Sequence, residues 1–191
     1  RCNACGECVK GCPKEAISII AELISIDRKH CDLCEKCSKV CPTGALTIVG
    51  KEMRVDAIVK EIDKDLIFYD DSKGGVTYSG GEPLLQIDFL NTLLEECKNR
   101  GIHTALDTSG YAKREVIDKI SDKVDLFLYD IKIMDDAKHK KYAGVSNKRI
   151  LRNFRELAKN GSDILVRMPI IPKINDSKDN IVKTAEFVLS Y

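Results

Sequence analysis

The chain has 191 residues, 43% hydrophobic and 32% charged, with 31 basic against 30 acidic side chains and a net charge of +1. That length holds one medium domain, or a small module plus an incomplete larger one, and the charge balance removes any electrostatic case for nucleic acid or an anionic membrane. No apolar run approaches the roughly 20 residues that span a bilayer, and no secretory signal is visible.

Nine cysteines set the first constraint, because eight of them lie within the first 41 residues. Cys2, Cys5, Cys8 and Cys12 precede Pro13, and Cys31, Cys34, Cys37 and Cys41 precede Pro42. Both runs read C-x2-C-x2-C-x3-C-P, the second being the first moved on by 29 residues. Ala16 recurs as Ala45 and Ile17 as Leu46. A disulfide knot is the plain reading of a Cys-rich segment, and a zinc site would need four ligands and no repeat. The doubled spacing points instead to thiolate-held iron–sulfur clusters in a reducing cytosol.

Two-residue gaps let three thiolates wrap one cubane from a tight turn. The fourth cysteine is expected to open a short helix, point the other way and ligate the opposite cluster, as in bacterial-type two-cluster ferredoxins. Cys2, Cys5, Cys8 and Cys41 are thereby assigned to one [4Fe–4S] cluster, and Cys12, Cys31, Cys34 and Cys37 to the other. Residues 16–20 and 23–26 read as a hairpin and 46–49 as its counterpart. Residues 1–52 are thus expected to form a small α+β ferredoxin-like module. His30, next to Cys31, is expected to be exposed.

Residues 53–191 follow another pattern. Val55, Ile58, Val59 and Ile62 recur at helical spacing. Gly74-Gly75 breaks the chain, and residues 76–79 read as a buried strand ending in Gly80-Gly81. Leu90, Leu93, Leu94 and Cys97 mark one face of a helix that stops at Gly101, which makes Cys97 a core thiol. Further strands are predicted at 103–106, 126–129 and 164–171, the last halted by Pro172, with helices at 115–120, 137–142, 148–159 and 179–190. Such alternation demands parallel strands with crossovers, hence an α/β fold and an open or closed β/α barrel.

In such sheets the C-terminal strand ends carry the site. Here they bear Gly80-Gly81-Glu82-Pro83, Asp107-Thr108-Ser109-Gly110, Asp130-Ile131-Lys132 and Arg167, and all four sets are expected to meet at one mouth. Each has a plainer reading. Glu82 could serve a helix dipole, Asp107 and Thr108 could cap a helix, and Asp130 and Lys132 could form a strand-end ion pair. Arg167 points into the barrel or out of it. The Lys138–Lys141 run is ordinarily a solvated helix face, or a docking point for an acidic partner.

These residues resemble a family. Ser79-Gly80-Gly81-Glu82-Pro83-Leu84-Leu85-Gln86 is similar to the GGEP motif of radical S-adenosylmethionine (SAM) enzymes. Leu106–Gly110, Asp130-Ile131-Lys132, the Tyr142–Asn147 stretch and Arg167-Met168-Pro169 resemble, in the same order, the glycyl-radical-enzyme activases of pyruvate formate-lyase activase type. A two-cluster insert ahead of the GGEP strand is similar to the larger activases. The resemblance implies a TIM-like radical SAM barrel that reductively cleaves SAM to a 5′-deoxyadenosyl radical and abstracts hydrogen from a backbone glycine of a partner glycyl radical enzyme.

By motif match, Gly80 and Gly81 would let backbone approach the methionine moiety and Glu82 would help receive its ammonium. Asp107 and Asp130, with the Thr108 and Leu128 positions, would match a monovalent-cation site. Lys132 and Arg167 would lie near the ribose and the entering glycine loop. A flavodoxin or ferredoxin reductant, a cytoplasmic location and anaerobic physiology are implied as well.

The family places a C-x3-C-x2-C motif for a third [4Fe–4S] cluster before such an insert, and these 191 residues lack it. The chain is therefore expected to be a truncated barrel, short at both ends and by itself incapable of radical chemistry. Two other functions stay open: a radical SAM enzyme acting on a small molecule or peptide, and a non-catalytic iron–sulfur electron-transfer protein.

Overall fold

A computed structural model describes residues 1–191, which divide into two units, Arg1–Met53 and Arg54–Tyr191. The first unit holds α1 (Glu7–Lys10), β1 (Ile17–Ile20), β2 (Leu23–Ile26) and α2 (Lys36–Lys39). β1 and β2 pair antiparallel from Ile17↔Ile26 to Ile20↔Leu23. Their turn residues, Ala21 and Glu22, both have positive φ, the geometry that matches strand twist in a two-residue hairpin.

The repeat extends to backbone conformation. Positive φ occurs at Ala4 and Leu33, at Gly6 and Glu35, and at Glu15 and Gly44, three pairs related by the same offset as the cysteines. The one-turn helices α1 and α2 are related in the same way. At Gly11 an added Cβ would lie 2.9 Å from Val40 Cγ2, and position 40 is the repeat mate of position 11. The small residue in one copy makes room for the large one in the other.

Two expectations for this unit change. α1 carries Cys8 and α2 carries Cys37, so each helix holds the third cysteine. Cys12 and Cys41 come after the C-caps Gly11 and Val40, and the fourth cysteine leaves a helix rather than opening one. Residues 46–49 form no strand. β1 has β2 as ladder partner, whereas 46–49 pairs with no strand.

The second unit runs α3 (Val55–Asp63), α4 (Leu66–Ser72), β3 (Gly75–Tyr78), a 3₁₀ turn (Pro83–Gln86), α5 (Ile87–Asn99), β4 (His103–Thr108), α6 (Arg114–Asp118), β5 (Leu126–Asp130), α7 (Asp136–Ala143), α8 (Lys148–Lys159), β6 (Ile164–Arg167) and α9 (Lys178–Leu189). The sheet order is β3-β4-β5-β6, every pair parallel. This is a partial β/α barrel.

One sheet face packs on helices. Leu106, Phe127 and Tyr129 join Leu90 and Leu94 of α5 and Phe154 and Leu157 of α8 in one core. Tyr129 meets Phe154 edge-on at 5.7 Å, and its hydroxyl donates to Ile150 O at 2.8 Å. Full burial of a side chain such as Phe127 contributes about 1.5–3 kcal/mol. Cys97 is buried with Ile62 and Ile102, its Sγ 3.0 Å from the Tyr78 hydroxyl.

β6 ends at Arg167 rather than running to 171. Pro169 and Pro172 have no N–H to offer a ladder. No helix is long and apolar enough to cross a membrane.

Candidate functional site

In the first unit the eight motif cysteines sort into two cavities. Cys12, Cys31, Cys34 and Cys37 line one of about 120 Å3. Cys2, Cys5, Cys8 and Cys41 line another of about 80 Å3. Each therefore takes three thiols from one run and the fourth from the other run.

Donors aim at the sulfurs: Ala4 N–H reaches Cys2 Sγ and Ala16 N–H reaches Cys12 Sγ, both at 3.4 Å. At Cys41 the Leu46 N–H, with help from the Thr43 hydroxyl, pulls the thiol from its ordinary 9.0 to about 7. Burial pushes the Cys8 thiol the other way. Four sulfurs around a cavity, met by N–H groups that favour thiolate, are a donor set suited to an iron–sulfur cluster. His30 is exposed and bound to Asp27 at 2.7 Å.

In the second unit, period-2 alternation selects which strand residues face away from the helices. Asp107 is opposite Leu128, and Asp130 is opposite Arg167. These four share the face that Leu106, Phe127 and Tyr129 do not. Arg167 thus points to the concave side.

A continuous polar chain crosses the strand ends. Ser79 Oγ donates to Asp107 Oδ2 at 3.0 Å. Arg167 Nη2 donates to Asp107 Oδ1 and, at 3.2 Å, to Asp130 Oδ1. Lys132 Nζ donates to Asp130 Oδ2 at 2.9 Å. Two carboxylates and two cations balance within this chain of ion pairs. Burial opposes the Arg167 charge, but the hydrogen bond to Asp107 and the charges of both aspartates outweigh it and raise its pKa.

Gly80 has a φ of 127, a conformation glycine alone adopts readily, and nothing stands within 4 Å of a Cβ built there or at Gly81. The turn therefore presents bare backbone to open space, a surface on which a ligand can lie close.

Glu82 and Thr108 are joined to each other and to the turn after β3. Glu82 caps the 3₁₀ turn by accepting the Leu84 N–H at 3.3 Å. Its carboxylate also accepts the Thr108 hydroxyl at 2.6 Å, the Ser109 N–H at 3.0 Å and the Ser109 hydroxyl at 2.6 Å. Two donors on each oxygen leave Glu82 a strut between the glycine turn and β4. The Thr108 side chain alternates away from Asp107, is buried, and serves Glu82.

Four buried asparagines complete the loops around the strand ends. Asn153 donates to Gly110 O and Ala112 O, each at 2.9 Å. Asn147 donates to Ile133 O at 2.9 Å and Met134 O at 2.8 Å. Asn175 and Asn180 both donate to Lys132 O, at 3.0 and 3.2 Å. Asn147 caps α8, Asn153 and Asn180 lie within α8 and α9, and Asn175 lies in the connection after β6, so no shared spacing or position marks them in the sequence.

Fold and site together define an iron–sulfur protein whose parallel β/α sheet presents a ligand mouth at its strand ends. The family described as Radical SAM superfamily matches residues 29–188, and a 4Fe-4S dicluster domain matches residues 1–46. The chain belongs to the radical SAM superfamily.

Among curated relatives, the trans-4-hydroxy-L-proline dehydratase activating enzyme of Clostridioides difficile is 45% identical over 98% of this chain and 63% of its own length. The choline trimethylamine-lyase activating enzyme of Oleidesulfovibrio alaskensis is 39% identical over 100% of this chain and 62% of its own. The benzylsuccinate synthase activating enzyme of Thauera aromatica is 40% identical over 98% and 59%. The chain thus spans about three fifths of the length of these relatives.

A solved domain of pyruvate-formate lyase-activating enzyme from Bacteroides vulgatus is 40% identical, with a TM-score of 0.57 over 61% of this chain and 73% of its own. Streptococcus suis SuiB bound to S-adenosylmethionine is alike in fold alone, 15% identical with a TM-score of 0.60 over 75% of this chain and 33% of its own.

Proposed function

We propose that the full-length protein is a glycyl-radical-enzyme activase. The observation that carries this reading is the convergence of the Gly80-Gly81 turn with Ser79, Asp107, Arg167, Asp130 and Lys132 on one sheet face. Relatives 39–45% identical that are themselves named activating enzymes support it.

When bound at this mouth, S-adenosylmethionine that accepts one electron from a reduced cluster releases methionine and a 5′-deoxyadenosyl radical, which takes hydrogen from a glycine Cα of the partner enzyme. The chain's own residues bind and orient. Gly80 and Gly81 offer main-chain groups to the methionine end. Lys132 and Arg167 present donors on the ribose side and toward the entering glycine loop. Asp107 and Asp130 hold those cations in place, and would supply the carboxylates of a monovalent-cation site. Glu82, held by Thr108 and Ser109, would help receive the ammonium of the methionine end from a fixed position.

Two [4Fe–4S] clusters belong to the proposal, held by Cys2, Cys5, Cys8 and Cys41 and by Cys12, Cys31, Cys34 and Cys37. Their role in this proposal is to relay electrons from a flavodoxin or ferredoxin, in a reducing cytoplasm, to a third [4Fe–4S] cluster of the full-length protein; the alternative is a structural or docking role for the module.

The test is anaerobic incubation of the reconstituted full-length protein with S-adenosylmethionine, reductant and a candidate glycyl radical enzyme. A glycyl-radical doublet in the electron paramagnetic resonance spectrum of the partner is expected. 5′-Deoxyadenosine formed without a doublet on any partner encoded beside it would overturn the activase reading.

A further inference from the structure

β5 ends at Asp130, and Ile131 makes the last ladder contact, its N–H donating to Arg167 O at 3.0 Å. The next three carbonyls leave the sheet. Buried carbonyls need donors, and here they come from asparagines on two other loops and the first turn of α9.

Asn175 and Asn180 use every polar atom of their side chains on this task. Asn175 Nδ2 spans Lys132 O and, at 2.7 Å, Pro169 O, while its Oδ1 accepts Ile171 N–H at 2.6 Å. Asn180 Nδ2 spans Lys132 O and, at 3.1 Å, Asn175 O, while its Oδ1 accepts Met134 N–H at 2.9 Å. Both side chains are buried.

We infer that Asn175 and Asn180 are positioning residues for Lys132: by holding its carbonyl from two sides they set where its ammonium meets Asp130 and any ligand at the mouth. Lysine is a flexible point charge on a four-carbon stem, so its placement depends on where its main chain is pinned. The residues that pin it lie beyond β6, on the 168–177 connection and α9, and touch no ligand-facing group themselves. The inference rests on the proposed function, since it assigns Lys132 to cofactor binding.

The experiment is a thermodynamic cycle on reconstituted full-length protein. Asn180→Asp keeps the size and the acceptor for Met134 but removes the donors to Lys132 O. Asn180→Ser serves if the added charge prevents folding. Each is combined with Lys132→Met. Calorimetric titration reads S-adenosylmethionine affinity, and thermal melts read stability.

Affinity is expected to fall about tenfold, some 1.4 kcal/mol, in the Lys132 background and to change little once Lys132 is methionine. The melting point should fall equally in both backgrounds. An unchanged affinity, or the same affinity loss with methionine at 132, would overturn the positioning role and leave the activase reading standing. Failure of the unsubstituted protein to bind would sink the activase reading, and the positioning role with it.

Discussion

Ser109 gives both its N–H and its hydroxyl to Glu82 Oε2, at 3.0 and 2.6 Å, across 27 residues of chain. The acid that the family motif would set near the methionine ammonium is thereby also held by the protein. It fastens the turn after β3 to the end of β4, so that bare glycine backbone and Asp107 keep a fixed relation.

Glu82→Gln should therefore act on stability. An amide facing the Ser109 donors or the Thr108 hydroxyl loses at least one hydrogen bond to a charged acceptor, a change of about 2–3 kcal/mol. Urea unfolding of the variant should show that loss in midpoint. A midpoint equal to that of the parent would remove the strut.

Arg167 bridges two carboxylates with a planar fork. Arg167→Lys keeps the charge but reaches only one carboxylate. S-Adenosylmethionine affinity is expected to drop about tenfold, measured by titration. An affinity retained in full would show that the bridge has no part in binding.

The crossed cysteine sets predict how losses combine. Cys41→Ser and Cys2→Ser line the same cavity, so the double variant should lose no more iron than either single one. Cys41→Ser with Cys31→Ser strikes both cavities and should empty the module. Iron analysis and Mössbauer spectra after reconstitution decide. Additive loss for the Cys2 pair would refute the crossing.

Hydrogen bonds from Lys140 first, then Ser146, hold the Asp136 carboxyl down from its ordinary 3.8 to about 2. A depressed folded pKa stabilises above the unfolded value and stops doing so as pH falls through the folded one. The contribution is thus complete at neutral pH and fades between about 4 and about 2. Asp136→Asn should be less stable than the parent at neutral pH and converge on it toward pH 2. Parallel pH–stability curves would contradict this.

Gly110 has a φ of 67, and a Cβ there would stand 1.7 Å from the Tyr129 hydroxyl. Gly110→Ala should cost about 3 kcal/mol from backbone strain and overpacking together. A calorimetric melt gives the answer, and a near-neutral change would mean that Tyr129 can move aside.

Long periodic elements could be read in advance and short irregular ones could not. α3 and α5 showed themselves through apolar residues three and four apart. α4 escaped notice because Ile67 and Phe68 are exposed and break that rhythm. The apolar run after Arg167 imitated strand, yet its prolines cannot donate to a ladder. At the site, Asp107, Asp130 and Arg167 were visible from their place at strand ends. The duty of Glu82 and the grip of Asn175 and Asn180 were hidden, since both depend on main-chain groups that a sequence does not display.

The contact between Gly11 and Val40 gives the duplicated module a direction. Were both copies like the first, glycine would face glycine and uncover backbone that the exposed Val40 side chain now shields. Were both like the second, two valines would contend for space that accommodates one. The unlike pair fits where either like pair would not, so the two halves, alike in cysteines and backbone, are not interchangeable at this point of contact.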